Sequence, residues 1–267
     1  MKLRELIRYS RSIVRQGRLH ILIICLMPLF TELFFRLAEA SVCSLLLYFS
    51  DMSPAELFTG ENEPQFVFSL TCMVLRVLTV PPLTCAAAFR LTELCCGDEG
   101  VTPLWEVLTD MRFLRRSVVS GLLCRIIGTL FFMPMLFSGE ALAALLKKGG
   151  GENELFAAVQ AAALTAVSLL LWVMVRLTLS AVPFLLVRRT DKSAVGTVFC
   201  SFRFMSGRRG HFLRLIGIYA LPALSLIGLP LALPDLMTAF AVSISVFAQE
   251  DDYHKRTLPS ELKGELI

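Results

Sequence analysis

Apolar residues run through this chain in stretches too long for a soluble core, and polar residues mark where each stretch ends. The longest opens at Leu155 and continues to Val187, broken by Gln160, Arg176 and a few hydroxyls, then turns basic at Arg188 and Arg189. About 20 apolar residues cross a hydrocarbon layer, so the stretch predicts a membrane span whose basic end faces the cytoplasm. The same pattern predicts spans over His20–Ser50, Phe66–Phe89, Ser117–Phe137, Leu213–Leu233 and Leu236–Ala248. The first is longer than the bilayer needs and must tilt, kink at Pro28 or project beyond it. Pro81 and Pro82 are expected to kink or open the second. The last two are short, and a re-entrant pair stays open beside two full crossings.

Three amphipathic stretches border these spans. In the first, Met1 to Arg18, one face carries Leu3, Leu6, Ile7, Ile13 and Val14, and another carries Arg4, Arg8, Arg11, Arg15 and Arg18. Spacings of three and four make this a basic helix lying on anionic phospholipids at the cytoplasmic face. Nucleic-acid binding is set aside, because no aromatics interleave with the arginines and the stretch leads straight into lipid. The second stretch should start with Thr102 as N-cap and Pro103 at the first helical position, and it runs into Arg112, Arg115 and Arg116. The third should place Val195, Val198, Phe199, Phe202 and Met205 as one stripe in the interface. A signal peptide ending near Ala38-Glu39-Ala40 is rejected, since Glu32, Arg36 and the long leader do not fit one.

The loops follow from charge. Asp51 to Pro64 holds Asp51, Glu56, Glu61 and Glu63 with no Lys or Arg, and is placed outside. Ser138 to Glu154 is also placed outside, hinged at Gly149-Gly150-Gly151, although Lys147 and Lys148 sit in it. The expected class is all-α: a polytopic membrane helix bundle of about six transmembrane helices plus amphipathic interfacial helices. Residues 1–19 form the basic interfacial helix, 20–248 the six-span integral membrane domain, and 249–267 a polar cytoplasmic tail. Both termini are then cytoplasmic, in a bacterial cytoplasmic membrane.

Composition agrees. Of 267 residues, 55% are hydrophobic and 18% charged, with a mean hydropathy of +0.68; a soluble domain carries about 25% charge. Eight cysteines suggest no disulfide framework, because most lie in apolar helical pattern, where the thiol packs as a small hydrophobe. Cys95-Cys96 is a pair of adjacent thiols at a membrane border; interface packing is the preferred reading, with lipidation or metal binding left open. No zinc spacing occurs, and His20, His211 and His254 are scattered, so no metal and no cofactor is expected.

An order recurs. Arg76-Val77-Leu78-Thr79 before Pro81-Pro82 resembles Arg176-Leu177-Thr178 before Pro183. Each is followed by an arginine (Arg90; Arg188), an amphipathic segment, an arginine pair (Arg115-Arg116; Arg208-Arg209) and an apolar span containing a proline (Pro134; Pro222). This suggests a parallel internal repeat of span, surface helix, span, of the kind found in transporters. Arginines gathered for topological reasons would produce much of the same order.

The stretch Leu3-Arg4 to Gly17, the loop from Pro82-Leu83 to Trp105-Glu106, and above all Ser201, Met205, Gly207, Arg208 and Phe212 carry a resemblance. The chain resembles a bacterial integral-membrane family, the domain of unknown function 975 type, over nearly its whole length. It departs from that family's pattern in two shorter final spans and in Asp235, where an aromatic is expected after Pro234. A second, looser resemblance is to a membrane family often encoded beside sugar-uptake genes. What the main resemblance implies is a membrane architecture with no established activity.

Catalytic motifs are not found: no phosphate-cradling loop, nucleophile elbow or metalloprotease pair. The unusual constellation is ionic. Arg36, Arg76, Arg125 and Arg176 sit one in each of the first four spans, with Glu32 and Glu39 in the first. Each such charge costs about 3 kcal/mol to insert and often marks function. These six residues form the candidate anionic ligand site, with Arg76 and Arg176 expected to converge on one anion. Competing readings have Arg125 and Arg176 snorkelling and Glu32 neutralising Arg36 at i,i+4. A non-enzymatic structural, regulatory or accessory membrane component is the preferred function, with a membrane-protein partner left open. The alternative is a transporter or anionic-lipid or solute binder using those arginines.

Overall fold

The computed structural model describes residues 3–50, 63–97, 103–148, 152–223 and 228–257. Among them every regular element is an α-helix: α1 (Leu3–Ser50), α2 (Glu63–Cys96), α3 (Leu104–Thr109), α4 (Met111–Lys148), α5 (Glu152–Leu179), α6 (Val182–Arg188), α7 (Ala194–Met205), α8 (Arg209–Ala223) and α9 (Gly228–Thr257). Five apolar stretches are long enough to cross a membrane: Leu3–Leu45, Val67–Cys96, Met111–Leu145, Leu155–Arg188 and Ala232–Asp251. The protein is a multi-pass all-α membrane bundle.

Several elements differ from expectation. The expected interfacial helix and first span both lie within α1, as two helices that meet at a kink where Gly17 leaves helical geometry. Helix α2 runs unbroken through Pro81 and Pro82. Pro103 is the N-cap of the short α3, not its first residue, and Thr102 lies outside the described residues. Asp110 is extended and ends α3; its side chain then accepts the Arg112 backbone N–H at 2.9 Å, so the arginines belong to the start of α4. That helix continues through Ser138–Lys148, which is helix rather than loop. The fifth expected span, Leu213–Leu233, falls on α8, on residues 224–227 and on the start of α9; α8 by itself, with 15 residues, is shorter than a crossing. Residues 224–227, the acidic loop at 51–62, Gly149–Gly151 and positions 258–267 lie outside the described residues, while Gln249–Thr257 extends α9 as helix.

Lipid explains the surface. Phe30, Phe34, Phe137 and Phe156 are each more than 60% exposed, an apolar display that water would not tolerate but hydrocarbon accepts. Hydroxyls within the spans turn inward: Thr31, Thr71, Thr79 and Thr165 each donate to the carbonyl four residues back, at 2.8–2.9 Å. With no water available, a hydroxyl must find its partner inside its own helix.

Two compact units divide the chain, residues 1–118 with 215–267, and residues 119–214. In the first, α1 packs on α2 and α9, and α9 on α2. Ala86, Ala87 and Ala88 of α2 are buried, and side chains that small let helix backbones come close. In the second, Val175 and Leu179 of α5, Val182 of α6 and Val198 of α7 make a core that Leu123, Ile127 and Phe131 of α4 pack against. Helix α7 starts with Ser193, whose hydroxyl accepts the Gly196 N–H at 3.1 Å. It stops at Gly207, whose φ of +78° is the left-handed position that glycine takes without strain. The anticipated stripe on α7 is split. Val198 and Met205 are buried and Phe202 joins the core, whereas Val195 and Phe199 are exposed. The five residues fall within about 120° of the helix, and exposure rises across that stripe from Met205 and Val198 on one edge to Val195 and Phe199 on the other.

Val198→Ala should therefore lower stability by about 2 kcal/mol, and Gly207→Ala by about 1 kcal/mol. Phe199→Ala should change it little. Thermal unfolding in detergent ranks the three; an equal loss for Val198→Ala and Phe199→Ala would contradict the split.

Candidate functional site

Four of the six candidate ligand residues come together in the first unit. Arg36 Nε lies 3.1 Å from Glu32 Oε1, the one-turn pair its spacing allows. Arg76 reaches across from α2: its Nε is 3.5 Å from the same Glu32 oxygen, and its Nη1 donates to Glu39 Oε2 at 3.3 Å. Glu32 and Glu39 are seven residues apart on α1, two turns on nearly one face, so one guanidinium can span both. Nine residues separate Arg76 from Val67, about 14 Å into the apolar run. At that depth there is no water to share the charge. The side chain of Arg76 is only 19% exposed, against 66% for Arg36, so Arg76 is the central member. Two arginines balance two glutamates, which removes the local excess of positive charge that a bound anion would have offset.

Arg125 and Arg176 belong to the second unit. Arg176 packs against α4, with its Cζ 3.4 Å from where a Cβ on Gly128 would stand, and lies 5.6 Å from the centre of the Trp172 ring. The same ring sits 5.5 Å from Phe132. The guanidinium thus rests over Gly128 at ordinary van der Waals distance, and an aromatic face steadies the cation. The Trp172–Arg176 pair is spaced i,i+4 within α5, whereas the Gly128 and Phe132 contacts join α4 to α5 and have no signature in local spacing.

Other polar features were not anticipated. Asp235, the departure from the family pattern, lies in the field of Arg11, Arg18 and Arg15 on α1. Tyr219 of α8 is buried beside Arg11 and Ser10. The basic stripe of α1 therefore has an acidic counterpart within the first unit, although Arg4, Arg8, Arg11, Arg15 and Arg18 all stay exposed. At the end of α2, Arg90 pairs with Glu93 at 2.8 Å, and the Tyr9 hydroxyl donates to the Cys95 carbonyl at 3.2 Å. Cys95 and Cys96 line a pocket of about 300 Å³ with Tyr9 and Val242, and all eight cysteines are free thiols. An apolar pocket of about 270 Å³ lies between α1, α2 and α3, with Ile24, Leu83 and Ala87 in its lining and the exposed Trp105 at its edge. Among the described residues no cluster of His, Cys, Asp and Glu could hold a metal.

Searches of protein families, curated proteins and solved structures find no match to this chain.

The Arg76–Glu39 contact predicts a measurable coupling. Arg76→Gln, Glu39→Gln and the double variant, compared by thermal unfolding in one detergent, should give a coupling energy of about 0.5–3 kcal/mol. Additive losses would show that the two side chains do not sense each other.

Proposed function

We propose that this chain is a non-enzymatic structural, regulatory or accessory component of the bacterial cytoplasmic membrane, of the domain of unknown function 975 type, with both termini cytoplasmic. The supporting observation is how the charges inside the bilayer are used. Glu32, Arg36, Glu39 and Arg76 neutralise one another and join α1 to α2. Ionic groups engaged in that way hold helices together, and breaking such a pair is destabilising. The exposed arginines of α1 suit the anionic leaflet, where each contributes about 1 kcal/mol of attraction. They would orient the protein and present its cytoplasmic face to a membrane-protein partner.

The alternative, a transporter or anionic solute binder, draws on the interrupted helix between Leu179 and Val182, a break inside the fourth apolar stretch. Exchange of the charges separates the two. In the accessory role, Glu39→Arg with Arg76→Glu should restore most of the thermal stability lost by either single change. If the exchanged protein folds yet loses an anionic solute that the parent retains through purification, the transporter reading replaces it.

Topology supplies a second test. In a cysteine-free background, an impermeant thiol reagent added to intact cells should label Thr59→Cys and Gly150→Cys and spare Ser260→Cys. The cytoplasmic placement of both termini needs a crossing over Leu213–Leu233 besides the five long apolar helices; labelling at Ser260 would mean an odd number of crossings and would overturn it.

A further inference from the structure

We propose that Arg176, seated on Gly128 and Trp172, grips the phosphate of an anionic phospholipid at the polar boundary of the bilayer. The inference stands apart from the basic stripe of α1 and rests on depth, a built cradle and an open charge.

Depth comes first. Lys147 and Lys148 end the apolar part of α4, and Glu152 and Glu154 precede that of α5, so hydrocarbon begins near Leu145 and Leu155. Twenty-one residues separate Leu155 from Arg176, about 31 Å of helix, and a hydrocarbon core is about 30 Å thick. Arg125 lies twenty residues from Leu145, at about the same level. The burial pattern supports this placement. Leu155, Phe156, Val159, Leu164 and Val167 of α5 are each more than half exposed, as a lipid-facing helix requires. Beyond Arg176 the apolar side chains of α5 and α6 turn inward: Leu177, Leu179, Val182, Phe184, Leu185 and Leu186 are at most 5% exposed, covered by protein. The lipid belt therefore stops near Arg176.

The cradle fixes the guanidinium. A Cβ at position 128 would stand 3.4 to 3.6 Å from its Cζ, Nε and Nη1, so the group lies flat on Gly128, with Trp172 beside it. Restricting the side chain in this way lowers the entropy lost when it binds. Its charge remains available. Among the described residues, the glutamates that form ion pairs engage Arg36, Arg76 and Arg90, not Arg176, and Arg176 is exposed. A planar guanidinium binds phosphate through two parallel hydrogen bonds and keeps its charge in a poorly hydrated setting. A lipid fits better than a soluble anion, because the exposed Leu169 and Met133 lie on the hydrocarbon side of the site and give acyl chains a surface.

The test uses the full-length protein in detergent with mixed phosphatidylglycerol and phosphatidylcholine, read by native mass spectrometry. Arg176→Gln should weaken phosphatidylglycerol retention by about tenfold and leave phosphatidylcholine unchanged. Arg176→Lys should fall between, keeping the charge without the fork. Gly128→Val keeps the arginine but fills its seat, and should also weaken retention; if Arg176→Gln does not fold, this variant decides alone. Retention equal to the parent in the folded variants overturns the proposal. Equal loss of both lipids overturns it as well, since that marks a damaged lipid surface. Displacement of phosphatidylglycerol by millimolar inorganic phosphate would assign the site to a soluble anion instead.

Discussion

Hydrocarbon offers a charge no water, so every ionic group taken inside must bring its own partner or reach the surface. Arg76 shows the first solution. It bridges two glutamates two turns apart on α1 and, in satisfying itself, fixes how α1 and α2 meet. The placement of that contact constrains the rest of the first unit. Helix α9 packs on both α1 and α2, so a shift in their register would disturb a third surface. Arg176 shows the other solution, an arginine carried to the edge of the lipid belt and steadied there by an aromatic ring and a glycine.

What was legible in the sequence was what one helix carries by itself. The long apolar runs, the basic face of α1, the pairing of Glu32 with Arg36 and the break before Pro183 all follow from local spacing. Features that need a second helix left no local mark. Nothing in the residues around Arg76 points to Glu39, and nothing around Gly128 announces that an arginine 48 positions away rests on it. Boundaries suffered for another reason. Ser138–Lys148 carries turn-like residues, Gly139 among them, and two lysines, yet it continues α4 because the Ala- and Leu-rich run from Ala141 to Leu146 favours helix. The proline pair in α2 was expected to kink or open the helix, and it does not open it. Its neighbours pack well enough that the helix runs through both residues.

The run from Ser201 to Phe212 also has a physical account. Ser201, Met205 and Phe212 are completely buried, and Gly207 occupies the left-handed turn between α7 and α8. Ser201 keeps its hydroxyl satisfied by donating to the Val198 carbonyl at 2.7 Å. A small polar residue, a flexible hydrophobe and a glycine are what this tight corner requires. The pattern therefore reports on packing and says little about chemistry.

The pairing of α1 with α9 has a consequence for how the molecule is assembled. The second unit is continuous in sequence, residues 119–214, and its helices can pack as soon as that stretch has emerged from the ribosome. The first unit joins segments from both ends of the chain, so one side of α1 and α2 waits for the last long helix to be made. Contacts of such long range close slowly and late. Until then the sides of α1 and α2 that α9 covers are open, and lipid or the insertion machinery must cover them. The order of synthesis thus makes the second unit the earlier product and the first unit the later one.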